Sequence, residues 1–161
     1  MEMSGRPKYK ILIVEDDADL SKALGMMLNF DGHQVHIVDR GDAALAMLAT
    51  SKFDLLITDY LMPEMNGDQL AALVKHRWPD QPIILATEAV ETLDYARSHA
   101  IGVDCVLNKP FTLQELREAV IWVLALYADN PQHDLGNRGQ LGIPPVKPDT
   151  RSRTGKPRKG L

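Results

Sequence analysis

Four residue types that can do phosphoryl chemistry stand at the ends of short apolar runs. Glu15 and Asp16 follow Ile11-Leu12-Ile13-Val14. Asp59 follows Leu55-Leu56-Ile57-Thr58 and opens the stretch Asp59-Tyr60-Leu61-Met62-Pro63-Glu64-Met65-Asn66-Gly67. Thr87 follows Ile83-Ile84-Leu85-Ala86, and Lys109 follows Val103–Asn108. Carboxylates gathered at one spot repel each other and are tolerable only beside a cation. Oxygen-only ligands suit Mg²⁺, which keeps some water and binds alongside a phosphoryl group. A lysine adds a second positive charge and a threonine adds a hydroxyl. Together these groups can make one carboxylate attack phosphorus and become an acyl phosphate, with the charge on the transferring oxygens neutralised.

That chemistry requires elements that bring five separated residues together. Short runs rich in β-branched and apolar residues predict strands, and continuous apolarity, as at 11–14, predicts a strand buried on both faces. The runs are 10–14, 34–38, 54–58, 82–86 and 103–107. Between them lie stretches of helical periodicity: 17–30, 42–50, 67–77, 89–99, and a last one capped by Thr112 and reaching Tyr127. Asp31-Gly32, Trp78-Pro79 and Gly102 are the stops. A strand and a helix repeated five times predict an α/β, flavodoxin-like, doubly wound fold. Its five-stranded parallel sheet has the order 2-1-3-4-5, with helices on both faces. Such a sheet collects its site at the carboxyl ends of the strands, where 15–17, 59, 87 and 109 fall.

The motifs Ile13-Val14-Glu15-Asp16-Asp17, Thr58–Gly67, Thr87 after its run, and Val106–Phe111 resemble those of a response-regulator receiver domain of two-component signalling, stand-alone type, over about Lys10 to Tyr127. The resemblance implies Asp59 as phosphoacceptor. It implies Glu15 and Asp16 as the acidic pair of a metal site made of Glu15, Asp16, Asp59 and the backbone carbonyl of Leu61, with Mg²⁺ held directly by Asp16, Asp59 and that carbonyl. Thr87 would be the switch hydroxyl, Lys109 its partner at the phosphoryl group, and Pro110 a cis-proline. It implies a phosphoacceptor signalling protein that assists its own phosphorylation and dephosphorylation rather than a classical enzyme. Its partners would be a histidine kinase or histidine phosphotransfer protein and a downstream protein. Three positions depart from the family pattern. Glu88 replaces a small residue after the threonine, Val106 replaces an aromatic, and Leu61 offers no hydrogen bond to an attacking water.

Each residue also has a plainer reading. Asp59 alone would be a turn cap. Asp17 reads as a helix N-cap, Asp54 as a surface residue, and Cys105 as a small buried apolar group. Glu88 reads as a charge in the first turn of a helix, and His76 and His99 as solvated partners of helix ends. His33 and His36, three apart on a strand, point to opposite faces and cannot share a metal.

The 161 residues carry a net charge of −4. From Pro131 onward, seven basic residues against two acids leave +5, so the rest carries −9. The expected organisation is a flexible N-terminus over 1–8, a receiver domain over 9–128, and a disordered basic tail over 129–161. One cysteine excludes an internal disulfide. With no apolar run of about 20 residues and no signal-peptide pattern, the chain reads as cytoplasmic and without membrane contact. Nucleic acid is not the expected partner, because a basic tail is more often solvated. A nucleic-acid binder using the tail, an aspartyl phosphohydrolase, and a fragment of a longer chain with an effector domain are the alternatives. Leu61 argues against the phosphohydrolase, which needs an acid two residues after its nucleophile.

The last helix has an inward face of Leu113, Leu116, Val120, Val123, Leu124 and Tyr127. Ile121, Trp122, Ala125 and Leu126 lie on the other side and predict an interaction face, with Trp122 as its anchor, for a heterologous partner or a homodimer through helix four, strand five and helix five.

Overall fold

The computed structural model describes residues 7–88 and 95–128. The elements run β1 Lys10–Val14, α1 Ala18–Phe30, β2 Gln34–Val38, α2 Gly41–Thr50, β3 Leu55–Asp59, α3 Gly67–Arg77, β4 Ile83–Thr87, α4 Tyr95–Ile101, β5 Cys105–Asn108 and α5 Leu113–Ala128. All neighbouring strands pair in parallel, in the order β2-β1-β3-β4-β5. The expected sheet is therefore present. Residues 1–6 of the expected N-terminal segment and the expected tail over 129–161 lie outside the described residues, as do residues 89–94 of the expected fourth helix.

Strand boundaries differ from the sequence reading by one or two residues. Asp54 is outside β3, where its carboxylate accepts the backbone N–H of Lys10 at 2.7 Å. Asp59 and Thr87 are the last residues of β3 and β4 rather than the first residues beyond them. Apolar runs do not mark these ends, because a polar residue can still complete the ladder. Asp59 pairs with Ala86, and Thr87 with Asn108.

Residues of alternating parity on the central strands feed two cores. Leu12, Leu56, Ile83 and Leu85 pack with Ala44 and Leu48 of α2 and Leu70, Ala71 and Val74 of α3. Ile11, Ile13, Leu55, Ile57 and Ile84 pack with Leu24 and Leu28 of α1 and Leu116, Val120 and Val123 of α5. Each central strand is thus covered on both faces, which is why its sequence is apolar throughout.

The helices start and stop on local signals. The Asp17 carboxylate accepts the N–H groups of Asp19 and Leu20 and caps α1, as expected. Thr112 and Glu115 form a reciprocal capping box for α5: each side chain accepts the other's backbone N–H, at 3.1 and 2.7 Å. Gly32 and Gly102, at φ +91° and +102°, terminate α1 and α4 in a conformation that favours glycine.

The outer side of α5 is less exposed than its sequence pattern implies. Ile121 is 63% exposed and Ala125 is exposed, but Trp122 and Leu126 are half-buried. Trp122 packs against the α1–α5 core. A wide indole one position from the buried Val123 reaches sideways to that core, so Trp122 is not the free anchor the helical pattern predicts.

Candidate functional site

Glu15, Asp59 and Lys109 share one strand parity, that of Ile11, Ile13 and Ile57, and stand at or just past three strand ends. In-register parallel pairing and right-handed twist bring their side chains together. The Lys109 ammonium donates to Glu15 Oε2 at 2.8 Å and to Asp59 Oδ1 at 3.0 Å. All three side chains are almost fully buried. One oxygen each from Glu15, Asp16 and Asp59 lie within 4.8 Å of one another, Asp16 being the exposed member.

The hydrogen bonds divide the labour. Glu15 is engaged at both oxygens, since Oε1 accepts the N–H of Asp17 at 3.1 Å and Oε2 holds Lys109. Burial pushes its carboxyl above the usual range, and the Lys109 and Asp17 hydrogen bonds only partly oppose that. Burial alone would lower the Lys109 pKa, but its hydrogen bonds to Glu15 and Asp59 outweigh it and the net shift is upward. The lysine is therefore a fixed cation. Asp59 uses Oδ1 for two donors, the Tyr60 N–H at 2.8 Å and Lys109. Oδ2 has no protein donor among the described residues.

The turn after Asp59 is set by Gly67. Its N–H donates to Tyr60 O at 2.7 Å, and an added Cβ would stand 2.2 Å from the Asp59 carbonyl oxygen. The start of α3 is thereby pressed against the backbone of the acid. Leu61 is 57% exposed and Met62 is buried, so the chain leaves β3 with an apolar side chain in solvent two residues past Asp59.

Thr87 is buried at the end of β4. Its parity is that of Ile83 and Leu85, opposite to that of Asp59, Glu15 and Lys109. Its carbonyl accepts the Lys109 N–H at 2.9 Å. The structure thus gathers Glu15, Asp16, Asp59 and Lys109 into one cluster and joins Thr87 to it through the backbone. Glu88 is exposed. The Lys109–Pro110 peptide is cis. Burial pushes the Cys105 thiol up to about 12, so it is an inert core group.

Two features escaped the sequence reading. Lys75, Asp104 and Tyr127 form a buried network at the other end of the sheet: Lys75 donates to Asp104 Oδ2 at 3.3 Å and to the Tyr127 hydroxyl at 2.9 Å. Arg117 grips Asp31 with two hydrogen bonds, tying α5 to the end of α1. Neither feature has a sequence signal, because the partners are 23 to 86 residues apart.

The family model for the response regulator receiver domain matches residues 11–121. The response regulator protein FleR of Pseudomonas aeruginosa is 40% identical over 112 residues, covering 69% of this chain and 24% of FleR. The transcriptional regulatory protein GlrR of Escherichia coli is 35% identical over 118 residues, covering 73% of this chain and 26% of GlrR. The chain spans about a quarter of the length of these two curated relatives. Among solved structures, a response regulator from Chloroflexus aurantiacus matches with a TM-score of 0.69 at 29% identity, over 74% of this chain and 99% of that one. The response regulator TrrA of Thermotoga maritima, solved in complex with Mg²⁺ and beryllium fluoride, matches with a TM-score of 0.66 at 28% identity. That match covers 71% of this chain and 97% of TrrA.

Proposed function

The chain belongs to the response regulator receiver domain family, and from that membership we propose that Asp59 accepts a phosphoryl group from a histidine kinase or histidine phosphotransfer protein. The observation that carries the assignment is the Lys109 ammonium bonded at once to Glu15 and Asp59, with Asp16 beside them. A receiver domain is a phosphoacceptor signalling domain, and among the acids of the described residues Asp59 combines such a lysine with an oxygen free of protein donors.

Oδ2 of Asp59 forms the new O–P bond while the P–N bond to the donor imidazole breaks. The leaving nitrogen keeps the electron pair and takes a proton from solvent. Lys109, already held 3.0 Å from Oδ1, lies where negative charge spreads over the transferring oxygens, and its charge persists across the physiological range. Glu15 holds the lysine in place rather than offering a free ligand oxygen.

The donor set fits Mg²⁺: it is all oxygen, anionic, and free of His and Cys. Asp16, Asp59 and the Leu61 carbonyl would hold the ion, which when bound supplies charge neutralisation to the phosphoryl oxygens. Phosphorylation then biases a two-state equilibrium through Thr87 and shifts the surface read by a downstream protein. Apolar area on the outer side of α5, led by Ile121, is the candidate surface.

Incubation with acetyl phosphate and Mg²⁺, followed by intact mass, tests the assignment. One phosphoryl group is expected on the wild type and none on Asp59→Asn. Equal labelling of both would place the acceptor elsewhere. Asp16→Ala is expected to lose Mg²⁺ affinity by calorimetry; undiminished affinity would remove Asp16 from the metal site.

A further inference from the structure

We propose that Asn108 is a positioning residue for the Thr87 hydroxyl, donating a side-chain N–H to its oxygen when that hydroxyl serves the phosphoryl group. The starting observation is an orphan atom. Asn108 Oδ1 is buried without a hydrogen-bond partner, and such groups are few in folded proteins and each costs stability.

Its place in the sheet says which group it serves. Asn108 is the in-register partner of Thr87 across the β4–β5 ladder. In parallel pairing, in-register side chains project to the same face from strands ~4.8 Å apart. Both residues fall on the parity of Leu85 and Val106, which pack in the α2–α3 core. The neighbour one rung inward, Val106, is apolar and half-buried, so it offers Thr87 nothing to bond. Asn108 is the polar side chain of β5 on that face.

The chemistry follows from what a carboxamide and a hydroxyl can each do. A threonine hydroxyl that donates its proton to a phosphoryl oxygen still has lone pairs, in a buried place. A carboxamide turned over by a half-rotation presents Nδ2–H inward and sends its oxygen outward. The orphaned oxygen is then relieved, and the threonine oxygen gains a donor. A hydroxyl that accepts a hydrogen bond also becomes a better donor. What the phosphorylated arrangement adds is the hydrogen bond from Nδ2–H to the threonine oxygen. Asn108 would thereby favour the signalling state with no contact to the phosphoryl group itself. This inference rests on the assignment of Asp59 and Thr87 above.

The test is a double-mutant cycle read by calorimetry of Mg²⁺–beryllium fluoride binding to the full chain. Asn108→Leu and Asn108→Asp both lack the donor and are expected to bind the probe roughly 3- to 10-fold more weakly than wild type. Asn108→Ser keeps a donor and is expected to stay closer to wild type. In a Thr87→Val background, Asn108→Leu is expected to change the affinity by less than twofold. Equal losses with and without the Thr87 hydroxyl would show a merely structural role and overturn the proposal, as would unchanged affinity in Asn108→Leu. Thermal unfolding of each variant without the probe separates folding defects: Asn108→Leu is expected to unfold no lower than wild type. Failure of wild type itself to bind the probe would instead overturn the phosphoacceptor reading, and this inference with it.

Discussion

At the scale of single residues, the proposed assignment makes charge and exposure around Asp59 the control on how long a phosphoryl group would persist. Hydrolysis needs a water in line with the P–O bond. Leu61 is exposed at the position two past Asp59, the proposed acceptor, but has no group to orient that water. Glu88, one residue past Thr87, is exposed and carries a negative charge. The acyl phosphate is therefore expected to be long-lived for a receiver domain. Loss of phosphate followed over time should be several-fold faster in Leu61→Asn; an equal rate would show that Leu61 does not control the lifetime. A second residue governs a pH effect far from the site. His33 Nδ1 accepts the Tyr9 N–H at 3.3 Å, and burial lowers the His33 pKa, with Asp31 opposing. The unfolded chain then takes up the proton first as pH falls. The stability contributed by neutral His33 is present above about pH 6.5 and is lost as pH falls through the lower folded value. The urea midpoint is expected to drop between pH 7.5 and pH 5.5, and to drop less in His33→Gln.

At the scale of elements, the two ends of the sheet are built for different purposes. The carboxyl ends hold the acids and Lys109, with α3 pressed against Asp59 at Gly67. The other end is closed by Lys75 of α3, Asp104 before β5 and Tyr127 of α5. There the Asp104 side chain is 2% exposed, and it also accepts the Ile83 N–H at 2.8 Å. Lys75→Met leaves a buried carboxylate without its ammonium partner and is expected to cost about 3–5 kcal/mol. Gly67→Ala meets backbone that cannot yield, so the turn itself must shift. Both variants are expected to unfold at lower urea, but Gly67→Ala alone should weaken Mg²⁺–beryllium fluoride binding. Loss of binding in both would mean that the two ends are not separable. The sequence showed the strands because burial on both faces forces apolar runs, and it showed the acids because they interrupt those runs. The closing network stayed hidden: Lys75, Asp104 and Tyr127 each look like solvated residues until three elements bring them together. Gly67 looked like half of a turn signal, and its close approach to Asp59 depends on where α3 docks.

At the scale of the whole molecule, the question is what meets the apolar side chains left outside the two cores. The helical pattern of α5 showed which residues face away from the sheet. It did not show how far the Trp122 ring reaches back, because that depends on the space between α1 and α5. Ile121 thus replaces Trp122 as the exposed centre of the α5 stripe, with Ala125 beside it and half-buried Leu126 at the edge. A second exposed set, Met26 and Phe30, lies on α1. Fully burying one such side chain is worth ~1.5–3 kcal/mol, too little for a stable homodimer unless several act together. The stripe is therefore expected to serve a heterologous partner, with the chain monomeric by itself. Sedimentation of the intact chain, of a chain ending at Asn130, of Ile121→Ser and of Phe30→Ser, each with and without Mg²⁺–beryllium fluoride, tests this. A monomer throughout is the expected result. A dimer in the presence of the probe that Ile121→Ser abolishes and Phe30→Ser does not would assign self-association to α5. The reverse pattern would assign it to α1. Self-association that appears only on truncation at Asn130 would mean that residues beyond 130 cover the stripe, a role suited to a +5 segment on a −9 body; raised salt should then release that cover and produce the same association in the intact chain.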